Sequence, residues 1–281
     1  MNAYLILLAT LSLGIFSALP VVAAENAKET AYERVIRTGT LRCGYLTYPP
    51  LLMKDLKTGE MSGVAHDIMT EIGKRLSLDI EWTEEVGTDV MLQGIASGRY
   101  ESFCVPMYVS SGRARVAYFS SPLYFSTTYI VTRADDHRFD ANPMTLNDPQ
   151  YKIATLEGEI TSILAKQYFP KASAHSIPQI QGYGFLLKDV AIGKADATIS
   201  DVISVSDYNK ENDEKLRVVE PPFFKHEVAV SLPQDPNLKS MIDITIHEML
   251  TDGWLERTLE EKYPDYWKQV VPVAKRYQSQ E

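Results

Sequence analysis

The sequence predicts an α/β protein of two lobes, each with a mainly parallel sheet flanked by helices. Its 281 residues are 45% apolar and 23% charged, a balance typical of globular proteins. Between residues 41 and 108 the pattern is strand, helix, strand, helix, strand without a hairpin signal, which predicts a parallel sheet. The same order returns between residues 151 and 202, so the chain contains a second α/β unit.

The first unit is predicted from three apolar strand candidates and two intervening helices. The strand candidates are LRCGYL (41–46), DIEWTEE (79–85) and ESFCVPMY (101–108). Apolar residues recur at helical spacing within 61–78, which predicts the first covering helix. A second helix is expected over 88–100, with Asp89 as its N-cap and Gly98 at its end.

The second unit alternates strands and helices in the same way. Strands are predicted over 151–158, 173–180 and 196–202, and helices over 159–169 and 184–195. An extended run, PLYFSTTYIVTR (122–133), leads from the first unit to the second.

A second extended run, EVAVSLP (227–233), leads back to the first unit. The helical tail at 238–263, broken at Gly253, has no third unit to join. We therefore expect lobe one to comprise 25–124 and 227–281, and lobe two to comprise 125–226. Ligands of open α/β sheets bind at the carboxyl ends of the strands, which here would share one cleft.

Residues 1–24 have the features of a secretory signal peptide. They contain no charged side chain and end in Val22-Ala23-Ala24, small residues suited to cleavage before Glu25. The alternative is a single membrane anchor, which the low positive charge and Pro20 leave open. Cleavage predicts a periplasmic protein.

Charge and cysteine content limit the partners and cofactors. The net charge of −9 argues against nucleic acid and anionic membranes as partners. The five histidines are scattered, and no C-x-x-C or H-E-x-x-H pattern occurs, so no metal or other cofactor is expected. Cys43 and Cys104 lie in strand-like segments of a protein expected in an oxidising compartment, either as a disulfide or as two buried thiols.

Six segments in a fixed order resemble the bacterial extracellular solute-binding proteins of family 3, which deliver polar amino acids to ABC transporters. They are GTLRCGYLTYPPL, TGEMSGVAHDIMTEIGKRL, LQGIASGRYESF, GRARVAYFSSPLY, GKADATISD and MLTDGWLERTLEEKYPDYW. The resemblance implies the type II periplasmic-binding-protein fold and a monomer that captures a small carboxylate-bearing ligand, an amino acid or a derivative. It also implies a membrane permease as partner and no enzymatic activity.

The resemblance also implies particular ligand contacts. In the family, an arginine six residues before the Phe of the FS-x-PY segment holds the ligand α-carboxylate, and here that residue is Arg113. Asp201 stands where the family binds the α-amino group, and Tyr48 stands where an aromatic ring packs on the ligand side chain. From the residues alone, Arg113 could be a surface charge, Asp201 a helix N-cap and Tyr48 a core residue.

Other positions differ from the family pattern and suggest a more apolar pocket. Pro106 has no N–H to donate, and Tyr108 replaces a small or hydroxyl residue. Glu159 and Thr161 stand at a helix start where the resemblance implies a cradle for an anionic ligand group, so both are candidate ligand contacts. Glu159 could instead cap its own helix or meet a cationic ligand group. Tyr45 stands where some binders of cationic amino acids carry aspartate. The ligand could therefore differ from a standard α-amino acid.

Two other functions fit the same fold. Cyclohexadienyl (arogenate or prephenate) dehydratases resemble these binders, but they place a catalytic acid three residues after the position of Asp201. Ser204 stands there in this chain, and a hydroxyl cannot replace a carboxyl general acid. A stand-alone ligand sensor is the second alternative.

Overall fold

The computed structural model describes residues 28–178 and 181–273, so the predicted signal peptide lies outside the described residues. The strands are β1 (Thr40–Tyr45), β2 (Met53–Lys54), β3 (Met61–Ser62), β4 (Asp79–Glu85), β5 (Ser102–Tyr108), β6 (Tyr118–Phe119), β7 (Tyr124–Arg133), β8 (Lys152–Leu156), β9 (Ser173–Ile177), β10 (Thr198–Ser200), β11 (Leu216–Leu232) and β12 (Val270–Pro272). The helices are α1 (Ala31–Thr38), α2 (Val64–Leu76), α3 (Met91–Ala96), α4 (Ser111–Ala114), α5 (Ile160–Tyr168), α6 (Tyr183–Ala191), α7 (Val202–Glu211), α8 (Pro236–Thr251), α9 (Trp254–Lys262) and α10 (Pro264–Trp267), with a 3₁₀ turn at Pro143–Leu146.

The main sheet has the strand order β10-β7-β11-β5-β1-β4. Its β5, β1 and β4 strands are parallel, as the first α/β unit predicts. The long strands β7 and β11 run antiparallel to each other and continue from this parallel region to β10. In the second unit, β8 pairs in parallel with β9, and a bridge joins Ile153 to Ala197 just before β10.

The apolar interior is divided in two. Two clusters of buried side chains are built from residues 35–124 and 228–270. Two others are built from residues 130–219. Each α/β unit therefore buries its own apolar surface, and the predicted two-lobed α/β fold is confirmed.

The strand that leads back is longer than the sequence pattern indicates. β11 begins at Leu216, on the far side of the Pro221-Pro222 pair and well before the predicted run 227–233. Its pairing with β7 shifts register between Val219 and Phe224. Proline cannot donate to a strand ladder but is tolerated at such an irregularity, so the strand continues past the two prolines.

Two local predictions in the first unit are wrong. The helix predicted over 88–100 is only α3, and its N-cap is Val90 instead of Asp89. The chain first makes a turn in which Gly87 O accepts from the backbone N–H groups of Val90 and Met91, which delays the helix. A short hairpin of β2 and β3 also precedes α2, although no hairpin was expected there.

Cys43 and Cys104 form a disulfide between neighbouring strands in the core of the first lobe. Their Cα atoms are 5.4 Å apart, which is an ordinary separation for a disulfide. Because Cys43 of β1 pairs with Ser102 of β5, Cys104 is its diagonal neighbour. Of the two alternatives that the sequence leaves open, the structure contains the disulfide.

None of the helices in the described ranges is long and apolar enough to cross a bilayer.

Candidate ligand-binding site

A cavity of about 220 Å³ lies between the two groups of clusters, where several strands end. Its wall is formed from both predicted lobes and includes Tyr48, Tyr108, Arg113, Glu159, Tyr183, Asp201, Ser204 and His226. Four of the predicted ligand contacts follow a strand end: Tyr48 after β1, Arg113 after β5, Glu159 after β8 and Asp201 after β10. This placement agrees with the rule that open α/β sheets bind ligands at carboxyl strand ends.

Arg113 is a buried cation. It lies in α4, whose N-cap Ser110 accepts from the Arg113 backbone N–H at 3.3 Å, and it is 9% exposed. Its guanidinium donates to the Tyr108 carbonyl at 2.9 Å and to the Gly158 carbonyl, which belongs to the second unit, at 3.5 Å. Burial lowers the pKa of the guanidinium, and the charge of Glu159 opposes that shift. No described carboxylate forms an ion pair with Arg113, so its charge is available to an anionic ligand group.

Asp201 is the N-cap of α7 and also lines the cavity. One carboxylate oxygen accepts from the backbone N–H of Ser204 at 2.7 Å, and the other accepts from the Ser204 hydroxyl at 2.8 Å. The helix-cap interpretation is therefore confirmed. It does not compete with a ligand contact, since each carboxylate oxygen can accept more than one hydrogen bond.

Tyr48 is held at the cavity by a tight turn. Its backbone pairs with Leu52 on either side of the two prolines, Pro49 and Pro50. Its ring meets the ring of Tyr183 edge to face, with centroids 6.0 Å apart, so an aromatic contact joins the two sides of the cavity. Burial, reinforced by the negative charge of Asp201, raises the pKa of Tyr48 well above its usual range. The phenol is therefore neutral and can donate a hydrogen bond.

Glu159 caps its own helix, one of the two roles that the sequence allows. It is the N-cap of α5, and its side chain accepts from the backbone N–H of Ile160 at 3.3 Å. It also lines the cavity beside Arg113, whose pKa its charge influences. A carboxylate at a helix N-terminus interacts favourably with the helix dipole, which gives Glu159 a structural role there.

Tyr45 and Thr161 are not among the described residues that line the cavity. The Tyr45 ring meets Trp82 edge to face at 5.8 Å, and its hydroxyl accepts from the Lys54 ammonium at 2.9 Å. The Thr161 hydroxyl is buried and accepts from the Leu156 backbone N–H at 2.9 Å, which fixes the turn from β8 into α5.

His226 is a cavity residue that the sequence did not predict. It lies in β11, is 9% exposed, and its Nδ1 has no hydrogen-bond partner among the described residues. Its ring meets Tyr108 edge to face at 4.9 Å and stacks on Phe224 at 5.8 Å. Burial, together with the nearby Arg113 charge, lowers the pKa of His226 to about 4. The imidazole is therefore neutral at physiological pH.

We expect His226 to make the empty protein less stable in mild acid. Its pKa is 6.5 in an unfolded chain and about 4 in the folded protein. Between these values the unfolded chain binds a proton that the folded protein excludes, so stability falls as the pH drops. From about pH 7 to about pH 5 this loss is about 2 kcal/mol. Urea unfolding of the wild type and of His226→Phe at both pH values measures it, because other titrating groups cancel in the comparison. An equal acid loss in both proteins would contradict the expectation.

The C-terminal segment contributes to the same cavity. Tyr266 and Gln269, which line it, lie far along the chain from the other contacts. The Tyr266 hydroxyl donates to the Tyr124 hydroxyl at 2.8 Å, and the Gln269 side-chain oxygen accepts from the backbone N–H of Ile203 at 3.0 Å. The second bond ties the tail to the start of α7, beside Asp201.

Among residues 28–178 and 181–273, no group of three His, Cys, Asp or Glu side chains could hold a metal ion. The polar groups of the cavity are side chains suited to hydrogen bonds and ion pairs with a small organic ligand.

Comparison with known proteins shows that the chain is similar to solute-binding proteins. The family model described as "Bacterial extracellular solute-binding proteins, family 3" matches residues 41–265. A probable amino-acid ABC transporter-binding protein of Haemophilus influenzae is 27% identical over 64% of this chain and 66% of its own length. The L-cystine-binding protein TcyA of Bacillus subtilis is 23% identical over 68% of each chain.

Solved structures share the fold. The crystal structure of an ancestral amino acid-binding protein, described as a precursor of cyclohexadienyl dehydratase, superposes with a TM-score of 0.69 at 23% identity, covering 82% of this chain and 97% of that one. The amino acid ABC transporter substrate-binding protein AbpA of Streptococcus pneumoniae, bound to L-arginine, gives a TM-score of 0.67 at 22% identity, covering 84% and 98%.

Proposed function

Because the chain belongs to the bacterial extracellular solute-binding proteins, family 3, we propose that it captures an amino acid or a derivative in the cavity between its lobes. The observation that carries this proposal is the buried Arg113 guanidinium, which lines the cavity without a carboxylate partner among the described residues. Its planar fork suits both oxygens of a ligand carboxylate. The chain spans about two thirds of the curated relatives it matches.

The positively charged group of the ligand is proposed to bind carboxylates in the cavity wall. Among the described residues of its wall, the carboxylates are those of Asp201, Glu159 and Asp207, and the one guanidinium is that of Arg113. Asp207 is already paired with Lys210, which leaves two carboxylates against one guanidinium. This balance favours a ligand with at least one ammonium group in addition to its carboxylate. Tyr48 and Tyr183, whose rings touch across the cavity, supply apolar surface for the rest of the ligand.

The positions of the Arg113 guanidinium and the Asp201 carboxylate suggest how ligand binding closes the cleft. Arg113 belongs to lobe one, proposed as residues 25–124 and 227–281, and Asp201 belongs to lobe two, proposed as residues 125–226. A zwitterion that contacts both poles stabilises the closed arrangement, because the open arrangement lacks one of the two contacts. We assign the mature protein to the periplasm, as a monomer that presents its closed form to an ABC-transporter permease.

A binding role is favoured over dehydratase activity. The Ser204 hydroxyl donates to Asp201 and occupies the position where the dehydratases place a catalytic acid. A serine hydroxyl is a poor proton donor compared with a carboxylic acid. Incubation with prephenate or arogenate should therefore give no aromatic product, and measurable turnover would favour the enzyme.

A thermal-shift screen tests the proposed function. The panel contains the standard L-amino acids, L-cystine, octopine, putrescine and succinate. A ligand at a hundred times its dissociation constant should stabilise the protein by about 2.7 kcal/mol. We expect an amino acid or the opine to give the largest shift, because both carry a carboxylate and an amino group. Stabilisation by putrescine alone, or by no member of the panel, would contradict the proposal.

Replacement of Asp201 by asparagine separates its two roles. Asparagine caps helices about as well as aspartate, so Asp201→Asn should retain the stability of the empty protein. Loss of the negative charge should weaken binding of the amino acid selected by the screen by about 1.5–3 kcal/mol. Calorimetric titration measures the affinity, and Asp207→Asn serves as the control for a general change in cavity charge. Unchanged affinity in Asp201→Asn would remove Asp201 from the site.

A further inference from the structure

The cavity floor contains a polar side chain that no feature of the resemblance assigns. Alternate residues of a strand point to the same face, so Phe224, His226 and Val228 of β11 share one side of the sheet. His226 pairs with Ser126 of β7, and both of these residues line the cavity together with Val228. The histidine therefore lies in the middle of the strand pair that joins the two lobes, at the base of the ligand space.

The hydrogen-bonding state of His226 is unusual for a buried histidine. Its Nδ1 is buried without a partner, and neither ring nitrogen has a hydrogen bond to any of the described residues. A neutral imidazole carries one N–H and one lone pair. Orphaned buried N–H groups are rarer than under-satisfied acceptors, so the lone pair is assigned to Nδ1 and the proton to Nε2. The ring then offers an unused donor in a residue that lines the cavity.

The surroundings of this donor favour an oxygen with negative charge. The ring of Tyr108 contacts both cationic and imidazole groups: its centroid is 4.9 Å from that of His226 and 6.0 Å from the Arg113 guanidinium carbon. Arg113 is close enough to act electrostatically on the imidazole and disfavours its protonation. A carboxylate that enters beside Arg113 reverses this effect. Pro106, which also lines the cavity, has no N–H with which to bind that group.

We propose that His226 is a ligand-binding residue that donates from Nε2 to the anionic group held by Arg113. This inference rests on the proposed function, because it needs a carboxylate ligand in the cavity. In this proposal, His226 of the connecting strand β11 supplies the hydrogen-bond donor that Pro106, without a backbone N–H, cannot supply. It also makes the site selective for ligands whose acceptor reaches the cavity floor, since a ligand without one leaves the imidazole unpartnered.

If His226 had only a structural role, replacing it by another flat ring would leave ligand affinity unchanged. The stacked contact with Phe224 and the edge contact with Tyr108 need only a flat ring, which phenylalanine supplies. His226→Phe therefore keeps the packing and removes the donor. His226→Gln keeps a donor near the position of Nε2 and removes the ring.

The test is calorimetric titration at neutral pH, with the L-amino acid that gives the largest shift in the screen as the probe. His226→Phe should bind it about 10- to 100-fold more weakly than the wild type, as expected for loss of a hydrogen bond to a charged group. His226→Gln should bind within a fewfold of the wild type. The control is His66→Phe, since His66 stacks on Trp82 outside the residues that line the cavity.

A spectroscopic measurement on the wild type supports the titration if a variant does not fold. Long-range ¹H–¹⁵N spectra of histidine-labelled protein should show His226 as the Nε2–H tautomer, with its Nε2 signal shifted on saturation with the same amino acid. Equal affinities of the wild type and His226→Phe, or an Nε2 signal that does not respond, would overturn the proposal and leave the proposed function intact. No binding by the wild type would overturn both.

Discussion

Arg113→Ala is expected to bind the screened amino acid more than about a hundredfold more weakly than the wild type, a loss of roughly 3–5 kcal/mol. The guanidinium is buried and donates only to two backbone carbonyls among the described residues. A ligand carboxylate therefore gains its full charge-assisted pairing with Arg113. Without the guanidinium, the carboxylate would be desolvated beside Glu159 and without a cation.

The neighbouring arginine provides a matched control for this variant. Arg115 lies two residues after Arg113, directly after α4, and is exposed. It does not line the cavity in the described part of the chain. Arg115→Ala changes the net charge by the same amount as Arg113→Ala. Because Arg115 lies outside the cavity lining, this variant should bind the amino acid within about 0.5 kcal/mol of the wild type. The empty Arg113→Ala protein should unfold with a normal cooperative transition. Full retention of affinity by Arg113→Ala would remove the proposed anchor.

Loss of the disulfide is expected to cause the largest change in stability. Cys43 and Cys104 are separated by 61 residues, and closing a loop of this length stabilises the folded state by roughly 4 kcal/mol through its constraint on the unfolded chain. The double variant Cys43→Ala, Cys104→Ala should therefore unfold at a markedly lower urea concentration. Both side chains are buried in the first lobe, so the small volume lost by the substitution acts in the same direction.

Unfolding in the presence of a reductant separates the stability lost with the disulfide bond from the stability lost by replacing the two cysteine side chains. Wild-type protein titrated with urea in the presence of dithiothreitol unfolds to a reduced chain and should show most of the same shift. Binding of the screened amino acid at low urea should be retained, because neither cysteine lines the cavity in the described part of the chain. Equal urea midpoints for the oxidised wild type and the double variant would contradict a stabilising disulfide.

The periodicity of the sequence predicted the parallel strands of both lobes and several of their covering helices, but it did not predict α1 or α7. β4 has the bounds that its alternating pattern predicts, and the positive backbone φ of Gly253 separates α8 from α9 where the break was expected. The start of α3 was mispredicted because Asp89 resembles a cap in sequence, whereas the chain makes a local turn from Gly87 before the helix begins. The length of β11 was underestimated because the two prolines resemble a terminator when the partner strand is unknown.

The candidate site was only partly predictable, because some of its residues are brought together only by the tertiary structure. Arg113 follows a predicted strand and Asp201 lies at the end of another, so fold rules and family spacing could place them near a cleft. His226 gives no such signal, because a single histidine in an apolar strand is ordinarily a core residue. Tyr266 and Gln269 reach the cavity from the tail, through contacts with Tyr124 and Ile203 that only the tertiary structure brings together.

The most direct test of the central claim is a crystal structure of the protein with the amino acid that gives the largest stabilisation in the screen. We predict that the ligand occupies the interlobe cavity, with its carboxylate bound by the Arg113 guanidinium and its amino group within hydrogen-bonding distance of Asp201. A ligand bound outside this cavity, or inside it with the carboxylate directed away from Arg113, would contradict the claim.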